Sequence, residues 1–432
     1  MKYILLALIG LSLLKAATED IVIPVEQIGV TNTSVSEKRN HQIITETANT
    51  VIEQWLSTSN CGVQCPNIGT LNLIHQKLKT ALFATAQIAL FSYNKERDQW
   101  SYEIRSSRFY KDQSTIRAKV ILSFLNGESR ECHDKARLDK DFSFLAFLQE
   151  PGIFPSLSEE SCNDLSEIFK NNFVLTPCTS PAKHPWSQYL IAIPDFFTLG
   201  NDRQKVSTTL MASISPFKSR TTQCFFIGGL SGPFRPYENI TEIEEKFPRL
   251  HYCKLAHEHR QSLRVAITNY EYLRIATTIY SGDHIYERFA ECLKKYRVRS
   301  MQQQTYAEQA RYAYLLSMDG FGAAWGRVPG ILATGSVLLM QAENKQWFYP
   351  WLKAYDPFRS TATPVSDECY IPIRTDLSNL VPVVNWLNEN PGQAKRIGEN
   401  GRQFAEEYLK ANEVELYFES IIKALCEKSN SF

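Results

Sequence analysis

The sequence lacks an excess of charge of either sign, and this limits the partners it can have. Its 432 residues include 47 basic and 46 acidic side chains, so the net charge of +1 gives no overall attraction to nucleic acid or acidic lipid. Internal repeats and low-complexity tracts are also lacking, which argues against a solenoid or a disordered chain. With 44% hydrophobic residues, the chain can fill two ordinary cores, and no nucleic-acid partner is expected.

The apolar run near the N-terminus, residues 4–14, is too short to span a bilayer. Together with Ala16 and Ala17 it is typical of a secretory signal peptide, although Lys15 interrupts the cleavage pattern. We therefore expect residues 1–17 to be a signal peptide, with an uncleaved anchor or a buried strand as alternatives. Cleavage would leave no stable membrane insertion.

Cysteines and glycosylation signals agree with a protein that works outside the cytosol. Ten cysteines predict disulfide bonds whose pairing the spacing does not reveal, and the alternative is that several are small buried hydrophobes. Asn32 in "NTS" and Asn239 in "NIT" are acceptor sequons, so a eukaryotic host would make a glycoprotein. We expect the secretory pathway, meaning the endoplasmic reticulum lumen in a eukaryote, and an exported or anchored protein in a bacterium.

The hydrophobic patterning predicts an α/β protein in which strands alternate with helices. Helices are predicted over 45–56, 67–90, 142–150, 162–172, 283–299, 375–390 and 393–428, the sixth capped by Thr375 or Asp376. Strands are predicted as a pair within 100–128 and over 173–177, 189–197, 224–227, 249–255, 311–318 and 369–373. This alternation favours parallel, doubly wound sheets. The polar stretch near 200–220 divides the chain into domains 18–210 and 211–432.

The segment "SMDGFGAAWGRVPGILATGSVLL" predicts a strand, a glycine-rich loop, a short helix and another strand. Pro329 would lie in the first helical turn, and Gly335 would be the left-handed residue after the helix. Gly320 and Gly322 leave the loop amides open to an anion, and Arg327 can bind a pair of phosphates. The pattern therefore favours a diphosphate site. Tight helix–sheet packing, with Arg327 in a surface ion pair, is the alternative.

From "YAYLLSMDGFGAAWGRVPGILATGSVLLM" through "WFYPWLKAY" to "YIPIRTDLSNLVPVVNWLNENPGQAKRIGENGRQFAEE", the chain resembles the capsule-associated and protein O-glucosyltransferase family (Rumi-like, KDEL-motif-containing enzymes). The resemblance is dense over 311–409 and looser at "CFFIGGLSG" and "PDFF". It implies a GT-B architecture, in which two Rossmann-like domains face a cleft. It also implies an inverting transfer of glucose or xylose from a UDP-sugar to a protein or glycan hydroxyl, without a metal or other cofactor.

The resemblance also implies where the donor would bind. Its diphosphate would lie against the glycine-rich loop and the guanidinium that follows it, and the turn after "FFI" would border the donor. The residues expected in these two places are Gly322, Ala323, Ala324, Trp325, Gly326 and Arg327, and Gly228, Gly229 and Ser231.

Two departures from the family pattern bear on catalysis. Ile227 occupies the place of a family arginine, and "FVLTPCTSP" lacks the acid that the family has near this strand. An inverting transfer needs a base for the acceptor hydroxyl, and Asp195 in "IPDFF" is our candidate, with a turn or N-cap aspartate as the alternative reading. A relative that has lost catalysis and only binds glycan or nucleotide is the second hypothesis.

Three further constellations carry less weight. The set His251, Cys253, His257 and His259 does not match a zinc spacing, so we expect no metal site there. The Asp-x-Asp pair at 139 and 141 lies in a charged stretch typical of solvated surface. Ser231 in "GGLSGP" lacks the second glycine of a hydrolase nucleophile elbow. The C-terminal helix is expected to pack in the core between the domains.

Overall fold

The computed structural model describes residues 35–58, 65–78, 87–106, 111–127, 138–148, 159–181, 184–194, 214–231, 240–268, 283–320, 323–324, 326–341, 343–359 and 365–429. Contacts divide the chain into Met1–Arg39 and Asn40–Phe432. In the first unit the described residues are the start of helix α1 (Val35–Thr58). Everything below concerns the second unit. The predicted signal peptide, both glycosylation sites and the 200–210 boundary lie outside the described residues.

The first sheet is mixed rather than doubly wound and parallel. Its strands are β1 (Ile88–Asn94), β2 (Gln99–Arg105), β3 (Phe142–Phe147), β4 (Val174–Thr176) and β5 (Ile191–Ala192), in the order β2-β1-β3-β4-β5. Strand β1 runs antiparallel to β2 and β3, whereas β3, β4 and β5 are parallel. Helices α2 (Ile68–Leu78), α3 (Lys111–Leu125) and α4 (Glu159–Asn171) accompany this sheet. The prediction of parallel structure therefore holds here for three strands.

Three predictions fail in this half, each for a physical reason. Residues 142–147 form a strand and not a helix, because a run that is apolar except for Ser143 has no clear period that separates the two. Residues 111–125 form a helix although their β-branched side chains favour a strand, since Ala118, Ile121 and Leu125 are buried at helical spacing. The helix predicted over 67–90 ends at Leu78, and its last residues belong to β1.

The second sheet is parallel throughout and has the strand order of a dinucleotide-binding fold. Its strands are β6 (Thr221–Gly228), β7 (Leu263–Ile267), β8 (Arg299–Ser300), β9 (Tyr312–Ser317), β10 (Val337–Met340) and β11 (Tyr370–Pro372). The order β11-β10-β9-β6-β7-β8 is the doubly wound 3-2-1-4-5-6 order read from the other edge. The order reverses between β6 and β9, so a ligand is expected beyond the carboxyl ends of these two strands.

Eight helices lie between or after these strands along the chain in the described residues. They are α5 (Ile240–Lys246), α6 (Pro248–Glu258), α7 (Asp283–Lys295), α8 (Tyr306–Gln309), α9 (Arg327–Ala333), α10 (Leu380–Glu389), α11 (Pro391–Tyr408) and α12 (Ala411–Lys428). The strand predicted over 249–255 is wrong, because Pro248 opens a helix there. Helix α10 is capped at Asn379, not at Thr375 or Asp376, because Asp376 accepts from the Ser378 amide and forms a turn before the helix.

The glycine-rich segment folds as predicted. Strand β9, helix α9 and strand β10 follow one another, and Pro329 lies in the first turn of α9. Gly335 has a φ of +66°, the left-handed conformation expected after the helix. A Cβ on Gly398 would come within 2.3 Å of the Gly335 carbonyl oxygen, so α11 and the end of α9 are in backbone contact.

Helix α12 packs against elements of the first sheet. The Tyr417 hydroxyl donates to the Ala192 carbonyl (3.2 Å), and the rings of Phe418 and Phe124 lie 5.2 Å apart. One buried cluster consequently contains side chains from both sheets. Within the part of the chain that the structure describes, no helix has both the length and the apolar character needed to cross a membrane.

Candidate active site

Strand β6 ends in glycine because an arginine side chain occupies the space beside it. Arg327, the first residue of α9, donates from Nη2 to the Ile227 carbonyl (2.5 Å). A Cβ on Gly228 would lie 2.9 Å from that nitrogen and 3.0 Å from the Phe226 ring. The absence of a side chain at position 228 therefore lets the guanidinium reach the end of the strand.

The Phe226 ring lies close to two guanidinium groups. The Arg327 guanidinium carbon is 5.0 Å from the ring centroid and that of Arg249 is 5.5 Å away. Arg249 comes from α6 and is only 7% exposed. It donates to the carbonyls of Gly229 and Met318 (3.2 Å for the second), which follow β6 and β9. Two positive charges thus meet at the point where the strand order reverses.

The loop after β9 also lies at the carboxyl ends of β6 and β9, close to these arginines. A Cβ on Gly320 would come within 2.6 Å of the Ser231 hydroxyl and 3.0 Å of Arg249 Nη2. Ser231, Gly320 and Arg249 are therefore close neighbours, and the predicted loop residue Gly320 has a packing reason to be glycine. The hydroxyl of Ser231 lies at the same strand ends as the arginines.

Arg327 lacks a carboxylate partner among the residues that the structure describes. Burial lowers the pKa of its guanidinium, which nevertheless stays protonated because arginine cannot be deprotonated in proteins. A desolvated cation is costly unless an anion or further hydrogen bonds compensate it. The geometry therefore favours an anionic ligand at this position.

A polar network connects the first sheet to the same corner. Asp319 follows β9, and its carboxylate accepts from the backbone amide (3.2 Å) and side-chain amide (2.8 Å) of Asn344. The Asn344 side-chain oxygen accepts from Ser180, in the segment after β4. Thr179 and Lys345 exchange two backbone hydrogen bonds of 2.9 Å. The carboxyl ends of β4, β9 and β10 are therefore joined.

Tyr349 lies beside this network. Its ring is packed against Phe348, with centroids 5.1 Å apart, and its hydroxyl is buried. Burial and the neighbouring Asp319 carboxylate raise its pKa well above the usual value. The hydroxyl is consequently a neutral hydrogen-bonding group at working pH.

The structure brings Gly228, Gly229, Ser231 and Arg327 together, as the proposed donor site requires. Ala323, Ala324 and Gly326 lie in the turn before α9. The Ala324 carbonyl accepts from the Arg327 amide (2.9 Å), so that amide is used inside the turn. The helix has seven residues, so its dipole contributes little. Gly322, Trp325 and the candidate base Asp195 lie outside the described residues.

Sequence reasoning missed two groups. Arg249 was missed because a strand was predicted over 249–255, although Pro248 is typical of a helix start. Asp319 stands in the glycine-rich segment itself, and its link to Asn344 depends on pairing across 25 positions that periodicity does not report. Their positions become apparent only when β6 and β9 are placed side by side.

The other predicted constellations have local roles. Within helix α6, Cys253 is fully buried and its thiol pKa is raised by desolvation. No group of histidine, cysteine or acidic residues in the described ranges is arranged to hold a metal ion. Asp141 accepts from the Lys95 amide (2.8 Å) in an exposed turn. Eight cysteines are described, and none of them forms a disulfide within the described ranges; Cys61 and Cys132 lie outside these ranges.

The part of the chain that carries most of this site is similar to a known protein family. Residues 243–428 match the family "Glycosyl transferase family 90", a segment that includes Arg249, Asp319 and Arg327. The resemblance expected from the sequence is therefore confirmed over this segment, which covers less than half of the chain.

Individual relatives agree with the family match. The chain is 26% identical over 121 residues to human "Protein O-glucosyltransferase 3", covering 28% of this chain and 22% of the relative. It is 26% identical over 184 residues to zebrafish (Danio rerio) "Protein O-glucosyltransferase 2", covering 41% and 30%. To bovine (Bos taurus) "Protein O-glucosyltransferase 1" it is 28% identical over 116 residues, covering 27% and 26%. The matched segment thus spans roughly a quarter of these relatives' length, from 22% to 30%.

Proposed function

We propose that the protein is an inverting glycosyltransferase that moves a glucose- or xylose-type sugar from a UDP-sugar to a hydroxyl of a protein or glycan. The observation that carries this proposal is the Arg327 guanidinium. It is partly buried with a lowered pKa, it makes one hydrogen bond to a carbonyl among the described residues, and it lies at the reversal point of a doubly wound sheet. A donor diphosphate supplies the anion that this position favours. The glycosyltransferase matches support the same class.

In the proposed reaction the acceptor oxygen attacks the anomeric carbon of the sugar while the bond from that carbon to the diphosphate oxygen breaks. Negative charge develops on the departing β-phosphate. Arg327 and Arg249, which both lie near the Phe226 ring, would stabilise that charge through positions fixed before the reaction. Because these two charges serve the leaving group, we propose that the transfer needs no metal or other cofactor.

The same two guanidinium groups can compensate for Ile227, which occupies the place of an arginine in the family that the sequence resembles. The side chain there is apolar, but its carbonyl holds Arg327, and Arg249 brings a second charge to the neighbouring ring. The positive charge expected at position 227 is therefore supplied from α6 instead. We propose that donor binding is retained.

We further propose that Asp195 takes the proton of the acceptor hydroxyl. Removal of a general base slows transfer by about 10²–10⁴-fold, so Asp195→Asn should abolish measurable transfer while UDP still binds. Asp319→Asn is the matched variant, because that carboxylate is held by Asn344. We expect it to weaken transfer less than Asp195→Asn. The reverse order would assign the base to Asp319.

The alternative is a binding protein that has lost catalysis. It is favoured by the segment 173–181, which contains β4 and reaches the site through Ser180 and Asn344 but has no acidic residue. Incubation of the full chain with a panel of UDP-sugars and candidate acceptors, with and without EDTA, separates the two functions. UDP release that persists in EDTA supports the transferase. A rise in melting temperature without UDP release supports the binding protein, and the lack of both contradicts a donor site.

A further inference from the structure

A second concave site lies at the other end of the parallel sheet. It is a pocket of about 470 Å³ whose described lining includes five arginines and neither aspartate nor glutamate. These arginines are Arg260, Arg264, Arg297, Arg299 and Arg311. We propose that this pocket binds a small ligand that carries several phosphate groups.

The fold itself gathers these side chains. Arg260, Arg297 and Arg311 come from the turns that precede β7, β8 and β9, which lie at the amino ends of parallel strands. Arg264 pairs in register with Phe225, and Arg299 pairs with Ala266, two residues after Arg264. Because side chains alternate along a strand, Arg264 and Arg299 point to the same face. Five guanidinium groups from separate elements therefore converge on one pocket.

The floor of the pocket is aromatic and buried. The rings of Phe225 and Tyr312 stack with centroids 4.4 Å apart and an angle of 19° between their planes. The Arg311 guanidinium carbon lies 5.3 Å from the Tyr312 ring centroid. A guanidinium held over a ring keeps its N–H edge available for a second partner, such as a phosphate oxygen. The floor thus orients at least one of the charges.

The positive charge in the pocket is not neutralised from within. In the described ranges, none of the five guanidinium groups makes an ion pair. Glu308 lies within electrostatic reach of Arg311, but its carboxylate accepts from the Thr305 amide (2.7 Å) in a capping box. Like charges gathered in one pocket repel each other, and a bound polyanion relieves that repulsion.

The backbone conformation of Arg297 also supports a phosphate-binding pocket. This residue has a φ of +53°, a left-handed conformation that glycine adopts at little cost and that strains a residue with a side chain. The position follows helix α7, where glycine is the usual residue. An arginine there strains the local backbone but adds a guanidinium to the pocket.

The size of the pocket favours a small ligand over a polymer. Its volume of about 470 Å³ falls within the range of roughly 300–1,000 Å³ typical of small-molecule sites. Nucleic acid is normally read by a basic stripe on a chain with excess positive charge, whereas this chain has a net charge of +1. Arginine forks match phosphate oxygens in pairs, so a compact polyphosphate fits the donor set best. The proposed sugar-donor site, at the carboxyl ends of the strands, is separate.

Calorimetric titration of the full chain with tripolyphosphate and with inositol hexakisphosphate tests this assignment. We expect one saturable site per chain, and Arg264→Gln with Arg299→Gln should weaken it by roughly tenfold or more. The matched control, Arg359→Gln with Arg396→Gln, removes the same charge from exposed positions outside the pocket lining and should change affinity by less than about twofold. Arg327→Met should leave this binding unchanged, which separates it from the donor site.

A further variant guards against loss of folding. Arg297→Gly relieves the left-handed strain, so the melting temperature should stay the same or rise while polyphosphate binding weakens. The assignment is overturned if neither probe binds saturably, or if both double variants lose affinity equally. It is also overturned if heparin or an oligonucleotide binds more tightly than the small probes, with a stoichiometry that depends on polymer length.

Discussion

Helix α9 is contacted by an arginine at each of its ends, and the two arginines are treated differently by the fold. Arg220, before β6, makes three hydrogen bonds, to the Ser215 carbonyl (3.0 Å), the Ser336 hydroxyl (2.8 Å) and the Thr334 carbonyl (3.0 Å). Arg327, at the first position of the helix, makes one hydrogen bond to another described residue, donating to the Ile227 carbonyl. Burial lowers the pKa of both, that of Arg220 to about 10.

The difference in hydrogen bonding indicates that Arg220 stabilises the fold and that Arg327 can bind a ligand. Arg220 satisfies the carbonyl end of a short helix, where a cation is favourable, and its hydrogen-bonding capacity is largely used by the protein. Arg327 is held by one carbonyl and lies near the Phe226 ring, and among the described residues most of its donors have no hydrogen-bond partner. A side chain that is held in place yet incompletely satisfied is ready to bind a ligand. Replacement of Arg220 should therefore lower stability, whereas replacement of Arg327 should lower ligand binding.

The largest effect is expected for Arg327→Met. Methionine keeps an apolar stem over Phe226 but removes the charge, so sugar transfer should fall by roughly 10²–10³-fold in kcat/KM. The free energy of unfolding should change by less than about 1 kcal/mol, because one lost hydrogen bond is offset by removal of a desolvated charge. Steady-state kinetics and urea unfolding measure the two quantities. A large decrease in the free energy of unfolding, with kcat/KM unchanged, would show that Arg327 stabilises the fold and does not bind the donor.

Arg220→Ala should show the opposite pattern. Three hydrogen bonds from a charged group are lost, so the free energy of unfolding should fall by roughly 1.5–3 kcal/mol. The affinity of the folded protein for UDP should be unchanged. Chemical denaturation and calorimetric titration, each at a temperature where the variant is folded, provide the check. A specific loss of UDP affinity at full stability would argue against the comparison.

Gly228→Ala should have a smaller effect, confined to the site. The new Cβ would lie 2.9 Å from Arg327 Nη2, the mobile end of a long side chain, so the guanidinium shifts and the fold adjusts. We expect UDP to bind about tenfold more weakly, which is about 1.4 kcal/mol, with little change in melting temperature. Unaltered UDP affinity would show that the guanidinium position is not important for binding.

Gly326→Ala is the matched control and should have almost no effect. Position 326 has a φ of −66°, and a Cβ there meets nothing within 4 Å among the described atoms. Alanine also restricts the unfolded chain, so stability should stay equal or rise slightly. Thermal melting and UDP titration together test this. A loss of UDP affinity here would mean that the loop before α9 contacts the ligand through position 326.

The second half was more predictable from the sequence than the first, for physical reasons. Helix α9 is followed by Gly335, whose left-handed conformation only glycine adopts easily, so this residue and the strands on either side of the helix could be located. The run 142–147 is apolar on both faces, and 111–125 has strand-forming residues in a helix. In both cases tertiary packing overrides local preference.

The candidate site was predictable only in part. Arg327, Gly228 and Ser231 follow from local motifs and resemblance, and the structure brings them together. Arg249 and the Asp319–Asn344 contact depend on which strands are neighbours, which a single sequence does not reveal. Their contribution becomes visible once β6 lies beside β9.

The most direct measurement compares UDP and UMP binding to the wild-type chain and to Arg327→Met by calorimetric titration. UDP differs from UMP by the β-phosphate, so the ratio of their affinities reports the diphosphate contact alone. We predict that the wild type binds UDP at least roughly tenfold more tightly than UMP and that the variant binds the two alike. If the variant retains the wild-type preference for UDP, Arg327 does not bind the diphosphate and the account of the site is wrong.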